Sequence, residues 1–110
     1  DDMISSGESM LDVARKLKER KAKRVIVCTT FGLFTDGLEK FDEYYEKEYI
    51  YRVITTNLNY RNPELLTRPY YLEADMSKYL ASIMDILNHD LSVNKVRNTT
   101  KKINKLLKRC

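Results

Sequence analysis

Apolar positions along the chain follow two alternating rhythms. Met10, Val13, Ala14 and Leu17 recur at three- and four-residue intervals, which predicts an amphipathic helix from residue 8 to about residue 20. Ahead of it, Ser5-x-x-Glu8 has the form of a capping box. Val25-Ile26-Val27-Cys28-Thr29 is a continuous apolar, β-branched run, the pattern of a central parallel strand covered on both faces. Cys28 is expected there as a buried, reduced thiol. Asp36-x-x-Glu39 is placed to cap a second helix with Leu38, Phe41 and Tyr45 on its inner side. Residues 51–56 form a second long strand pattern, and 70–74 a further one. Pro63 and Pro69 bracket a connector with room for one helical turn. Met76, Tyr79, Leu80, Ile83 and Leu87 predict a helix starting near Asp75 or Ser77.

Strands that alternate with helices imply right-handed crossovers. The expected class is therefore α/β: part of a doubly wound, mostly parallel sheet flanked by helices. In such sheets ligands bind beyond the carboxyl ends of the strands. The loops after Asp1, Thr29 and Thr56 should gather at one edge. The α/β region is expected over residues 1–92. Val96, Ile103, Leu106 and Leu107 space a basic amphipathic helix within a tail over 93–110.

Charge sharpens this division. Residues 1–90 hold all 16 acids but only 13 of the 20 Lys/Arg, a net charge of −3. The remaining seven basic groups (Lys95, Arg97, Lys101, Lys102, Lys105, Lys108, Arg109) face no acid in the tail. The overall charge of +4 therefore belongs to the tail, and a nucleic-acid or membrane function does not follow for the main body. Arg15–Arg24 carries seven Lys/Arg in ten positions. A polyanion patch is one reading; a solvated helix C-terminus with favourable dipole interaction is the simpler one. His89 is expected on the surface near a helix end, with no catalytic role. Cys28 and Cys110 lack metal-like spacing and make no disulfide framework, which fits a cytoplasmic protein. No signal peptide is visible. No stretch reaches the roughly 20 apolar residues a membrane span requires.

The chemistry is concentrated in Asp1-Asp2-Met3-Ile4-Ser5-Ser6-Gly7-Glu8-Ser9. This order reads as a strand end, a small-residue turn and a helix start. Outward N–H groups and the positive end of the helix dipole would hold a phosphate there. The paired carboxylates can accept hydrogen bonds from a sugar diol or hold Mg²⁺. As an isolated pair, Asp1 and Asp2 read more readily as an exposed acidic turn.

The segment resembles the phosphoribosyl-binding loop of type I phosphoribosyltransferases, Asp-Asp-x-x-x-Thr-Gly-Gly-Thr. Lys18–Val25 and then Cys28-Thr29-Thr30-Phe31-Gly32-Leu33-Phe34 follow in the order seen in ribose-phosphate pyrophosphokinases (phosphoribosyl pyrophosphate synthetases). The resemblance extends to about Val93 and covers the last part of that family's catalytic unit. It implies transfer of diphosphate from ATP to C1 of ribose 5-phosphate with Mg²⁺, giving phosphoribosyl pyrophosphate and AMP. Asp1 and Asp2 would hold the ribose hydroxyls, with a low-order Mg²⁺ role also open to them. Ser5, Ser6, Gly7, Glu8 and Ser9 would hold the 5-phosphate, and Thr29, Thr30 and Gly32 would line the pocket. Thr55, Thr56 and Asn57 are weaker candidates at a strand end. None of these residues is expected to act as acid or base.

The sequence departs from the family pattern at two positions. Glu8 replaces a Gly or Ala, and Phe31 replaces the His of an Ala-Thr-His-Gly-like segment. A phosphoribosyltransferase that consumes phosphoribosyl pyrophosphate, and a non-catalytic regulatory homologue, are the competing readings. The chain opens inside a motif and reads as a C-terminal fragment, for which little or no turnover is expected. The resemblance also implies a homo-oligomer.

Overall fold

The computed structural model describes residues 1–109; Cys110, and with it any expectation about its thiol, lies outside the described residues, as do the side chains of Lys95 and Val96. Two compact units are distinguishable, Asp1–Asp75 and the helical stretch from Met76 onward.

The first unit is the α/β part. Its elements are β1 (Met3–Ile4), α1 (Glu8–Glu19), β2 (Ile26–Thr29), β3 (Phe31–Gly32), α2 (Glu39–Glu46), β4 (Arg52–Thr56), α3 (Pro63–Leu66) and β5 (Tyr71–Ala74). β1 pairs with β3 in parallel, Met3 opposite Phe31 and Ile4 opposite Gly32. β2, β4 and β5 form a second parallel set in that order. The two sets are continuous in space. Asp1 N donates to Cys28 O at 3.1 Å, and Thr56 N reaches Thr30 O at 3.3 Å. β2 and β3 are thus one strand interrupted at Thr30, with β1 on one side and β4 on the other. The expected α/β class, with a parallel sheet flanked by helices, is the class observed.

Period-two alternation decides which face is filled. Val25, Val27 and Thr29 are buried, whereas Ile26 and Cys28 between them are exposed. After Thr30 the phase slips, so Gly32 and Phe34 take the inward positions. α1, α2 and α3 send Leu11, Ala14, Phe41 and Leu65 into one cluster with Ile4, Val27, Val53 and Tyr71. The opposite face stays open in this unit. Cys28, Ile54 and Leu72 lie in register across three strands, and Leu72 is 49% exposed. The Val25–Thr29 run is therefore covered on one face, and the Cys28 thiol is exposed rather than buried. A continuous apolar run cannot reveal which face its neighbours leave bare.

The helix ends follow local chemistry, though not always the expected kind. α1 and α2 are each followed by a left-handed residue, Lys21 (φ 67°) and Glu48 (φ 61°), which turns the chain back toward the sheet as C-terminal caps do. At the start of α2 the N-cap is Leu38, without a side-chain hydrogen bond. The Asp36-x-x-Glu39 cap is not formed, because Gly37 at φ 83° swings the chain between Asp36 and the first turn. α3 has the cap its sequence allows: Asn62 Oδ1 accepts from Glu64 N at 3.0 Å, with proline in the first turn.

One polar cluster ties α2 to the approach to β5. Tyr70 OH donates to Asp42 Oδ1 at 2.6 Å, and Arg68 Nε donates to the same oxygen at 2.9 Å. The Tyr70 ring is 1% exposed.

The second unit holds α4 (Ser77–Asn88), α5 (Asn94–Arg97) and α6 (Thr100–Leu107). His89 lies at the C-cap of α4, exposed, its Nδ1 2.8 Å from Asp85 O. The basic helix expected in the tail is α6, whose Ile103, Leu106 and Leu107 are exposed. Among the described residues no helix is long and apolar enough to cross a membrane.

Burial first, and then the hydrogen bond to Asp42 and that carboxylate's charge, push the Tyr70 phenol well above its ordinary value. Its proton is thus held more tightly in the folded chain than in the unfolded one, where it leaves near pH 10. The contribution is complete below about pH 10 and is lost as pH rises beyond it. Tyr70→Phe should cost about 1–2 kcal/mol at pH 7 and should flatten the alkaline loss of stability, as read by urea denaturation at pH 7 to 11.

Candidate functional site

Crossovers that keep the strands parallel bring every strand's carboxyl end to one edge. Three backbone links pull the loops there together. Leu33 N donates to Ile4 O at 2.8 Å, Thr35 N to Ser5 O at 3.0 Å, and Phe31 N to Asp2 O at 3.0 Å. From the other side, Thr56 Oγ1 donates to Thr30 O at 2.5 Å, and Asn59 Nδ2 donates to Gly32 O at 3.1 Å. The loops after β1, β3 and β4 thus form one surface, as the sequence pattern anticipated.

Gly7 shapes the loop after β1. It is the N-cap of α1, at φ 87° and ψ 0°, a conformation that costs an L residue strain and glycine none. The space above it is closed as well: a Cβ there meets Phe41 Cε2 and Cζ at 2.5 Å. Beyond Gly7 the chain enters the helix directly, Leu11 N donating to Gly7 O at 2.9 Å. No side chain caps α1. Ser6 Oγ is 3.5 Å from Glu8 N, at the outer limit of a hydrogen bond. The first-turn amides therefore remain donors for something outside the helix.

The expected capping box is absent for a definite reason. Glu8 turns outward, and its Oε1 lies 2.6 Å from Lys40 Nζ of α2. The hydrogen bond and charge of that ammonium hold the Glu8 carboxyl below its usual range and raise Lys40 above its own.

The remaining sequence candidates distribute as follows. Asp1, Asp2, Ser5 and Ser9 are exposed around the loop, Ser6 is half-buried and Gly7 is buried. Asp1 Oδ1 accepts from Asp2 N at 2.7 Å. Thr29 is buried with its hydroxyl turned to Phe31 O, and Thr30 is exposed. Gly32 is packed beneath Phe34 and Thr55, where a Cβ meets their side chains at 2.7 and 2.8 Å. Of the three pocket-lining candidates, Thr30 is exposed, whereas Thr29 and Gly32 are buried and the Gly32 carbonyl accepts from Asn59 Nδ2.

Sequence reasoning missed Lys40 and Asn59. Both act on partners far along the chain, and neither belongs to a short motif. Asn59 spans two loops, donating also to Tyr60 O at 3.0 Å, while its Oδ1 is buried without a partner. Nearby, Arg61 pairs with Glu73 and Asn57 Nδ2 with Asp75 Oδ1 at 2.9 Å. A separate cleft of about 490 Å³, lined by Lys18, Arg24, Tyr45, Glu48 and Tyr51 among others, opens beside the start of β4, away from this edge.

No group of three or more His, Cys, Asp or Glu side chains among the described residues is arranged to hold a metal ion. Mg²⁺ commonly binds through one or two carboxylates plus substrate phosphates and water. Asp1 and Asp2 fit that arrangement and do not fit an all-protein cage.

No protein-family model matches this sequence, and no curated protein matches it by sequence. The fold has a close counterpart among solved structures. The crystal structure of phosphoribosylpyrophosphate synthetase from Mycobacterium smegmatis superposes with a TM-score of 0.69 at 22% identity, covering 82% of this chain. The matched region is 29% of that synthetase chain, so this chain spans less than a third of its length. At this identity the likeness establishes the fold.

Gly7→Ala meets both the positive φ and the Phe41 ring. It should destabilise the first unit by about 1–3 kcal/mol, seen as a lower urea midpoint with an unchanged denaturant slope.

Proposed function

We propose that this chain is the ribose 5-phosphate-binding part of a ribose-phosphate diphosphokinase, a C-terminal portion of that enzyme. The observation that carries the reading is the Ser5–Gly7 turn. It joins the parallel strand β1, which Asp1 and Asp2 directly precede, to an uncapped helix N-terminus at the carboxyl edge of a sheet whose fold matches a phosphoribosylpyrophosphate synthetase.

The roles follow from donor chemistry. The α1 first-turn amides, with the hydroxyls of Ser5, Ser6 and Ser9, bind the 5-phosphate through short-range hydrogen bonds and the helix dipole. Asp1 and Asp2 accept from the ribose 2- and 3-hydroxyls and so orient C1. Thr30 and the Gly32 carbonyl border the sugar. Asp1 and Asp2 would hold Mg²⁺, which when bound would supply charge neutralisation for diphosphoryl transfer. Such chemistry needs alignment and electrostatic support more than covalent participation by the protein. The proposal includes ATP as the second substrate, assembly of the whole enzyme as a homo-oligomer in the cytoplasm, and no nucleic-acid or membrane partner. A non-catalytic homologue that retains sugar-phosphate binding is the second reading. Glu8, an acid beside the phosphate turn, and Phe31, in place of a histidine, are the residues that favour it.

Ribose 5-phosphate titrated into the ¹⁵N-labelled chain should shift the amides of residues 2–9, and ribose alone should not. Asp1→Asn with Asp2→Asn should weaken ribose 5-phosphate binding by about tenfold or more, the scale of hydrogen bonds to charged groups. The same pair should leave inorganic phosphate binding unweakened. The isolated chain should release no AMP from ATP, Mg²⁺ and ribose 5-phosphate. Shifts confined to other regions, or an equal response to ribose alone, would sink the reading.

A further inference from the structure

Lys40 lies 32 positions beyond Glu8, yet their side chains meet at 2.6 Å. The reason is in the core. Phe41, next to Lys40, is wholly buried, and its ring edge sits directly under Gly7. The contact that shapes the turn therefore also delivers Lys40 to the first residue of α1.

That placement has a chemical consequence. An acid in the first helical turn is ordinarily attracted to the unpaired amides there. These are the donors assigned above to the 5-phosphate. A free Glu8 carboxylate would accept the same hydrogen bonds and repel a dianion, making it a built-in competitor. In the structure no side chain caps α1, and Glu8 is engaged by Lys40.

We propose that Lys40 is a positioning residue for the phosphate turn: it draws the Glu8 carboxylate aside and cancels its charge, leaving the α1 amides open to a phosphorylated sugar. The role deepens the ribose 5-phosphate reading and presupposes it. Other charges bear on the pair. Asp36 lies near enough to act on Lys40, and Glu43 shares a cleft of about 370 Å³ with Glu8, Leu11, Lys40 and Tyr44. With acids around it, Lys40 is the cation that neutralises Glu8.

The test is a mutant cycle on the full 110-residue chain, with ribose 5-phosphate affinity read by amide shifts and folding monitored by circular dichroism. Lys40→Met should weaken binding by about two- to fivefold at low salt, the scale of a single charge pair near a surface. Glu8→Gln should bind as well as the parent chain or better. The double variant should recover the parent affinity, and the deficit of Lys40→Met should shrink at about 0.5 M salt through screening. Unchanged affinity in Lys40→Met overturns the role. So does a loss that Glu8→Gln fails to rescue, because Lys40 would then touch the anion itself or support the fold. A parent chain that does not bind ribose 5-phosphate defeats the underlying reading as well, which separates the two failures.

Discussion

The approach of Gly7 to the Phe41 ring is the constraint on which the first unit turns. Ile4 brings β1 to this point, Gly7 reverses the chain, and Leu11 carries α1 back over the same cluster. Phe41 anchors α2 there, meeting Phe34 edge-on with ring centroids 5.0 Å apart. The turn that presents the amides is thus seated on the hydrophobic core rather than suspended above it. Such seating matters for an anion site made of main-chain donors. Amides hold a phosphate well only when their directions are fixed in advance, and here packing supplies that fixation.

Much of this was legible in the sequence because its causes are local. Helical spacing in Met10–Leu17, β-branched runs at 25–29 and 51–56, and the small residues of Ser5–Ser9 act over a few positions. They gave the main helices, the longer strands and a parallel sheet, whereas the two-residue strands β1 and β3 carry no period long enough to read. The failures share the opposite character. Cys28 faces outward because Val25, Val27 and Thr29 take the inward positions of this strand, which α1, α2 and α3 cover within the first unit, a property of the assembled layer. Glu8 leaves its helix because an ammonium 32 residues away is brought to it. Asn59 bridges loops that no sequence window contains. A capping box is a statement about competing hydrogen bonds, and the winning partner was not nearby in sequence.

Fold and function separate clearly in this chain. A likeness at 22% identity carries the architecture across, and architecture of this kind hosts more than one reaction. What distinguishes the sugar-phosphate reading is chemical: an uncapped helix start, a glycine whose positive φ and tight packing disfavour any side chain, and two acids just ahead of β1. Two departures remain on the surface: Phe31, 39% exposed, supplies apolar surface where the resembled pattern has an imidazole, and Glu8 places an acid in the first turn of α1.

Charge distribution sets how such a site must work. Residues 1–90 carry a net charge of −3, so the body offers no general attraction to a phosphorylated ligand, and long-range steering is small at physiological salt. Under the proposed reading, capture comes from contacts made within the first turn of α1. There each amide donor counts, and one misplaced carboxylate removes much of the advantage. This is why the position of Glu8 carries more weight than an exposed ion pair ordinarily would. The energy of such a pair is modest, but its geometry decides whether the donors face a ligand or the protein's own side chain.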